Sequence, residues 1–262
     1  MGKQGLLSGL KLPKELQIDD HDDPASIYVI RRIIKRKPFL VNTYKSFYRD
    51  IIRRVKTVPA DGELIELGSG ASFLKTELPR LITSDVLPYD GVDKVFSALD
   101  IPLADDSVSA FLMTDVLHHI KDSRQFFREM QRCLKVGGKV VMIEPANTLW
   151  GKFIFSNFHP EPFDDQGGWG FEEGGPLSGA NIAIPWIIFF RDIETFQKEF
   201  PDLRLRSIRL HTPFKYLLSG GLSFRQLLPS WCYPFVHLLE WVLSPLNRYL
   251  AMFMTIELEK RH

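Results

Sequence analysis

ELIELGSGASFLK, residues 63–75, decides how the rest of the chain is read. An apolar run stops near an acid, Glu66, opens at Gly68 and Gly70, and passes into a helix-like segment. A strand that enters a glycine turn and then a helix commonly holds a nucleotide-like cofactor, because the first N–H groups of a helix are unpaired and face the loop. Two familiar loops are set aside first. A dinucleotide loop needs a small residue at the third place of G-x-G-x-x-G/A so that helix and strand pack closely. Phe73 fills that place, which disfavours a nicotinamide or flavin dinucleotide. A phosphate loop fails because no Gly-Lys-Ser/Thr follows. What remains is an acid, a strand end and two close glycines. Asp85 follows 15 residues past Gly70 at the tip of the next strand, where an acid accepts hydrogen bonds from both ribose hydroxyls.

Outward from this turn, strand-like and helix-like segments alternate as in a parallel sheet covered by helices. ELIEL (63–67), LITSDV (81–86), DKVFSA (93–98), SAFLMTDVL (109–117), KVVMIEP (139–145), LRLRSIRLH (203–211) and AMFMTIELE (251–259) read as strands. SFLKTELPRL (72–81), SRQFFREMQRCLK (123–135) and RDIETFQKEF (191–200) read as helices, the second closed by Gly137 and Gly138. Upstream, Leu40, Tyr44, Phe47, Tyr48, Ile51, Ile52 and Val55 recur at helical spacing between basic residues and predict an amphipathic helix from Pro38. Residues 1–26, with the acidic cluster Asp19, Asp20, Asp22 and Asp23, read as a weakly ordered arm. RRIIKRK (31–37) reads as a solvated basic face, with docking on an anionic surface as the alternative.

At 262 residues the chain can bury a full core as one compact unit. Its 33 Lys and Arg nearly cancel 32 Asp and Glu, which disfavours a general nucleic-acid binder. Cys133 and Cys232 have no paired spacing for zinc or a disulfide framework, so the expected home is a reducing cytoplasm. No signal peptide and no run of about 18 apolar residues are visible.

The motifs together resemble the class I S-adenosylmethionine-dependent methyltransferases, in particular the type-11 domain. The likeness covers about residues 60–147. ELGSGAS is similar to that family's acid-x-G-x-G-x-G loop, IPLADDSVSAFLMTDVLHHI to its "LPF…S-F-D…VLHH" segment, and LKVGGKVVMIEP to its "LKPGGrlvi-EP" end. The resemblance implies S-adenosyl-L-methionine as cofactor, with Glu66, Gly68 and Gly70 around its methionine part and Asp85 on the ribose. It also implies Ser97 or Asp100 at the adenine, and Thr114 and Asp115 on the sulfonium side. Ser72 stands where the family has its third loop glycine. The implied fold is a Rossmann-like α/β three-layer sandwich with a seven-stranded, mostly parallel sheet whose last strand is antiparallel. The expected organisation is an arm (1–37) and one methyltransferase domain (38–262), with insertions at about 147–190 and 213–250.

Methyl transfer needs an aligned nucleophile and a group to take its proton. His118 and His119 follow the fourth strand, and FHPEPFDD places His159, Glu161 and Asp164 in the next long loop. His119 and then His159 are the candidate bases. The competing readings are histidines that only cap a turn, and ordinary loop polarity. No metal is expected, because the prolines of FHPEPFDD prevent the helical presentation common among metal-binding histidines. The aromatic stretch 150–171 suggests an apolar pocket or lid, or else plain core. The segment around WCYPFVHLLEWVLSPLNRYL is too short and too interrupted to span a bilayer; it is able to lie on one, but reads first as core packing. The expected activity is methylation of oxygen or nitrogen on a small-molecule or lipid-linked acceptor, with possible peripheral membrane contact; the alternative is a catalytically silent cofactor-binding interaction protein. RNA or protein substrates are disfavoured, since DVLHHI stands where an Asn/Asp-Pro-Pro-aromatic motif belongs.

Overall fold

The computed structural model describes residues 9–18, 20–172, 174, 175 and 177–261. The strands are β1 (Glu63–Glu66), β2 (Leu81–Asp85), β3 (Lys94–Val95), β4 (Val108–Thr114), β5 (Leu134–Pro145), β6 (Leu203–His211) and β7 (Phe253–Lys260). They form one sheet in the order β3-β2-β1-β4-β5-β7-β6. β7 pairs antiparallel with both β5 and β6, so it alone runs against the others. The β1–β4 register sets Ile65 opposite Phe111 and Glu66 opposite Leu112, which brings the carboxyl ends of these neighbours to the same edge. In such sheets ligands bind outside the carboxyl ends.

Both faces are covered, which explains why β1, β4 and β5 read as nearly continuous apolar runs. One face packs Phe126, Phe127 and Met130 of α4 (Ser123–Cys133) and Phe196 of α6 (Ile193–Glu199) against Ile65, Phe111 and Val140. The other packs Leu40, Tyr44, Phe47, Tyr48 and Ile51 of α2 (Pro38–Arg54) and Ile154 and Phe155 of α5 (Leu149–Phe158) against Leu64, Leu112 and Val141. The Asp122 carboxylate caps α4 by accepting the Gln125 N–H at 3.0 Å.

Several expectations require correction. The helix expected over 72–81 is a single turn, α3 (Leu74–Glu77), because Pro79 disfavours helical backbone at Leu78, whose φ is −136°. The expected third strand shrinks to two residues. The helix expected to end at Gly137 and Gly138 ends at Cys133, and the chain enters β5 directly at Leu134, which pairs with Val108. Gly137, at φ 78°, lies in the irregular stretch between that pair and the regular ladder from Lys139.

The arm is folded where it is described. Leu12 and Leu16 are buried with Ile33 of α1 (Ala25–Lys35). Asp22 accepts the N–H groups of Leu177 at 2.6 Å and Ser178 at 3.1 Å, and Asp23 accepts that of Ala25 at 2.8 Å. Asp19 and residues 1–8 lie outside the described residues. The basic run is divided by helical periodicity: Arg32, Lys35 and Arg36 are exposed, whereas Lys37 is buried and donates to the carbonyls of Gly221 and Phe224. Burial lowers the Lys37 pKa to about 8.

Candidate active site

The loop after β1 is held from two sides. Gly68 and Gly70 have φ of 60° and 46°, a left-handed backbone that glycine adopts without penalty. A Cβ on Gly68 would lie 2.8 Å from Val116 Cγ2, so a side chain there would displace the turn after β4. Asp85 Oδ2 accepts the Gly70 N–H at 2.8 Å, and Oδ1 accepts that of Leu87 at 3.1 Å. From the other side, Arg31 of α1 donates to the Gly70 carbonyl at 3.4 Å and the Asp90 carbonyl at 3.0 Å and stacks over Tyr89. The N-terminal helix therefore closes over the glycine turn, a role its basic composition did not reveal.

Glu66 is buried, and among the described residues its Oε2 has no hydrogen-bond partner. Burial, with the nearby Asp85 charge, pushes its pKa up to about 8. Beside it, Tyr48 OH lies 3.1 Å from Ser72 Oγ and accepts the Phe73 N–H at 3.4 Å. Ser72 thus ties the loop to α2 through a hydroxyl that glycine would lack. Phe73 packs edge-on against Tyr48, with ring centroids 4.8 Å apart.

Thr114 ends β4, and among the described residues its buried Oγ1 is also unpartnered. Asp115 follows at φ 57° and donates its N–H to Ile143 O at 2.9 Å. Burial pushes its carboxyl up to about 7, with Glu144 and Glu161 adding to the rise and His118 opposing it. Ser97 and Asp100 face one another in an isolated bridge beyond β3; Ser97 Oγ accepts the Leu99 N–H, and Asp100 is exposed.

The histidine pair lies in a 3₁₀ turn, Leu117–His119, directly after this strand end. His118 Nδ1 lies 2.7 Å from Glu144 Oε2, whose other oxygen accepts the N–H groups of Val116 at 3.0 Å and Leu117 at 2.7 Å. His118 Nε2 lies 3.5 Å from Glu161 Oε2. Burial alone would lower the His118 pKa, but the two carboxylates raise it to about 10. His119 Nδ1 is 2.9 Å from the Gly179 carbonyl, and its Nε2 is 3.8 Å from Glu161 Oε1. Burial and the neighbouring His118 charge lower His119 to about 4, so its ring is neutral. Glu161 is held down at about 2, because His118 outweighs the effect of burial. His159 Nδ1 accepts the Glu161 N–H at 3.3 Å, so its lone pair on that nitrogen is used. The cluster therefore combines residues expected separately, and Glu144, which closes it from β5, was not singled out from sequence. An acid ending a strand beside an identified site strand was the available signal.

Asn181 ties the adjoining loop to this cluster. Asn181 donates its N–H to His118 O at 2.9 Å, and Asp164 N–H donates to Asn181 Oδ1 at 3.0 Å. Among the described residues, Phe155, Trp169 and Phe189 of the aromatic stretches are buried in the core, whereas Phe153, Phe158 and Phe190, with Leu149, are exposed. Two surface clefts among the described residues, one at Leu99, Lys121 and Trp169 and one at Pro59, Lys135 and Lys260, lie away from the glycine turn.

Comparison with known proteins agrees with this arrangement. A family model described as a methyltransferase domain matches residues 67–142. The ubiquinone/menaquinone biosynthesis C-methyltransferase of Geotalea daltonii is 34% identical over 83 residues, which is 32% of this chain and 31% of that enzyme. The chain thus matches less than a third of that relative's length. Geranyl diphosphate C-methyltransferase from Streptomyces coelicolor, solved with Mg2+, geranyl diphosphate and S-adenosyl-L-homocysteine, superposes with a TM-score of 0.52 at 14% identity, covering 96% of this chain and 89% of that one. A geranyl diphosphate methyltransferase solved with S-adenosylmethionine gives a TM-score of 0.50 at 13% identity, over 96% of both chains. Residues 67–142 thus carry the match to a methyltransferase domain, and the chain shares its fold with solved S-adenosylmethionine-dependent methyltransferases.

Proposed function

We propose that this protein transfers the methyl group of S-adenosylmethionine to an oxygen or nitrogen of a small-molecule or lipid-linked acceptor. The observation that carries the reading is the convergence at one sheet edge of Glu66, with its buried unpartnered carboxyl oxygen, the left-handed Gly68 and Gly70, and Asp115 beside the histidine cluster. These residues fit the cofactor. A buried carboxyl suits a cationic ligand, and two residues without Cβ leave its backbone approachable. Glu66, Gly68 and Gly70 would hold the methionine part, Asp85 the ribose, Ser97 or Asp100 the adenine, and Thr114 and Asp115 the sulfonium side.

When bound, the cofactor supplies an electrophilic methyl group. The chain's own work is alignment and proton removal. His119 is the first candidate for the proton, because its Nδ1 is engaged by Gly179 and its Nε2 faces Glu161 as a free acceptor. His159 ranks second, since its Nδ1 already accepts a backbone N–H.

The lipid-linked part rests on the surface. On α8 (Tyr233–Val242) and just before it, Trp231 and Trp241 are each 71% exposed and Phe235 67%, and Leu238, Leu239 and Val242 are also exposed. Leu149 and Phe153 of α5 add exposed apolar area, and α5 packs on α9 (Asn247–Leu250), which follows α8. The one acid of α8, Glu240, is turned inward onto Lys215 and the N–H groups of Phe214 and Lys215. The base of α8 sits on α2, where Tyr233 packs edge-on against Phe39 and donates to Asn42 O; exposed Lys35 and Arg36 lie just before the start of α2. Exposed tryptophans beside cations suit an anionic bilayer surface. Among the described residues no helix is long and apolar enough to cross a membrane.

The test is to incubate purified protein with S-adenosylmethionine and fractionated cell extract and follow S-adenosylhomocysteine. Turnover that depends on a lipid fraction supports the reading. Cofactor binding without turnover on any fraction would favour the silent binding protein, and a methyl group found on carbon would replace the heteroatom assignment. Sedimentation with vesicles should retain the protein on anionic but not zwitterionic lipid, and Trp231→Ser with Trp241→Ser should release it.

A further inference from the structure

We infer that His118, His119 and Glu161 form a binding site for one divalent transition-metal ion. His118 Nε2 lies 3.5 Å from Glu161 Oε2 and His119 Nε2 lies 3.8 Å from Glu161 Oε1, and one ligand atom from each of the three residues fits within 4.8 Å. Two ligand atoms at about 2.1 Å from a tetrahedral ion stand roughly 3.4 Å apart, so each histidine already stands near ligand spacing from a Glu161 oxygen, and the three-atom set closes from within 4.8 Å.

What separates this cluster from an ordinary ion pair is the far side of each ring. His118 Nδ1 lies against the Glu144 carboxylate at 2.7 Å, and His119 Nδ1 against the Gly179 carbonyl at 2.9 Å. A metal-bound histidine donates its second N–H to just such a carboxylate or carbonyl, which fixes the tautomer and presents the other nitrogen's lone pair to the ion. Here both rings are anchored through Nδ1, and both Nε2 atoms converge on one carboxylate. Glu161 Oε2 is buried and, among the described residues, without a hydrogen-bond partner. The third ring nearby, His159, is excluded because its Nδ1 accepts the Glu161 N–H.

Two imidazoles and one carboxylate select a borderline ion such as Zn2+, Co2+, Mn2+ or Fe2+ over Ca2+ or Mg2+, which prefer all-oxygen sites. Three protein ligands on one side leave at least one open position. Glu161 and His119, each partly exposed, give the ion its entry. The ligands come from two distant segments, which is why FHPEPFDD read by itself argued against a metal.

The role of the ion rests on the methyltransferase reading. The Leu117–His119 turn directly follows Thr114 and Asp115 at the end of β4, so an open position on the ion would lie on the side proposed for the acceptor. With the ion bound, an acceptor hydroxyl at that position would be made acidic and give its proton to solvent, while His119 serves as a ligand; the role of His119 as base belongs to the metal-free protein.

The binding claim is tested without cofactor. Chelator-treated, full-length protein titrated with CoCl2 should take up about one ion per chain and develop the visible d–d absorption of a low-symmetry nitrogen and oxygen site, and ZnCl2 should displace it. Glu161→Gln, and separately His119→Gln, should weaken Co2+ by at least about 100-fold, while His159→Gln retains it. Thermal unfolding should shift upward with Zn2+ in the unmodified protein and not in Glu161→Gln, whose metal-free melting reports that it is folded. Absence of absorption beyond that of the free ion, or equal affinity in Glu161→Gln, overturns the site. S-adenosylhomocysteine titrated into metal-free protein is the separate control: its failure to bind would remove the methyltransferase reading and leave the metal site standing.

Discussion

His118 Nδ1 lies 2.7 Å from Glu144 Oε2, and through the second oxygen of that carboxylate the end of β5 also holds the backbone of the turn that carries the histidine. Three bonds therefore converge on one side chain that is fully buried. Removing it strands the two N–H groups and a buried ring together. Glu144→Ala should lower stability by about 3–5 kcal/mol, the usual cost of breaking a buried hydrogen-bonded pair, as measured by urea unfolding at neutral pH. A loss below about 1 kcal/mol would show that the turn holds itself.

Glu66 predicts a proton released on cofactor binding. Its pKa of about 8 leaves it protonated at pH 7 in the free protein. A cationic ligand beside it favours the carboxylate and draws that pKa down, so about one proton should leave at pH 7. Affinity should accordingly rise from about pH 6 to 8 and level off above. Calorimetry of S-adenosylmethionine binding in buffers of differing ionisation enthalpy measures the number. Glu66→Gln should abolish the release, and an unmodified protein that releases none would show that Glu66 does not meet the charge.

The glycine turn predicts two losses of affinity. Gly70→Val puts a branched side chain at φ 46°, beside Ile27, and should abolish S-adenosylhomocysteine binding. Asp85→Ala removes the acceptor of the Gly70 N–H as well as the carboxylate proposed for the ribose. Charge-assisted bonds of roughly 1.5–3 kcal/mol each imply at least a tenfold weaker constant. A dissociation constant unchanged in Asp85→Ala would assign the ribose elsewhere.

His119→Ala should leave S-adenosylhomocysteine affinity nearly unchanged and reduce turnover by roughly 10²–10⁴-fold, as for a lost general base. Single-turnover measurements separate that loss from product release. Full activity in the combined His119→Ala and His159→Ala variant would remove both from the reaction.

Acid stability is set far from the site, where α2 lies on the last strands. Asp50 accepts Arg209 at 2.8 Å and the Thr255 hydroxyl at 2.7 Å; Glu257 accepts Arg54 at 2.6 Å and Lys139 at 2.9 Å. Burial would raise both carboxyls, yet these partners hold them below their ordinary values. Stability from a lowered pKa is complete above the unfolded value of about 4 and is lost as pH falls through the folded one. Urea midpoints should therefore fall steeply below about pH 4, and Glu257→Gln should make that fall shallower. Arg54→Met removes one of the two cations on Glu257 while Lys139 remains, and should cost about 1.5–3 kcal/mol at pH 7, the worth of a hydrogen bond to a charged group. An acid limb identical in Glu257→Gln would place the effect in other groups.

The features legible in the sequence are those whose cause is local or periodic. Gly68 and Gly70 follow a β-rich run ending at Glu66, and the apolar runs of β1, β4 and β5 report a sheet buried on both faces, so the fold class and the cofactor turn follow from short stretches. Helix ends were less legible, because Pro79 and the pairing of Leu134 with Val108 overrule helical periodicity at two boundaries. The tertiary structure alone decided which polar side chains meet. Glu144, His118 and Glu161 come from a strand end, a 3₁₀ turn and a loop, and only the β4–β5 register and the Asn181 anchor bring them within reach. The same holds for Lys37, one of seven residues in a basic-looking run yet buried on the carbonyls of Gly221 and Phe224, and for α8, whose apolar side chains read as core but face outward. Burial and charge pairing depend on what the rest of the chain packs against a residue, and a one-dimensional pattern carries no information on that neighbour.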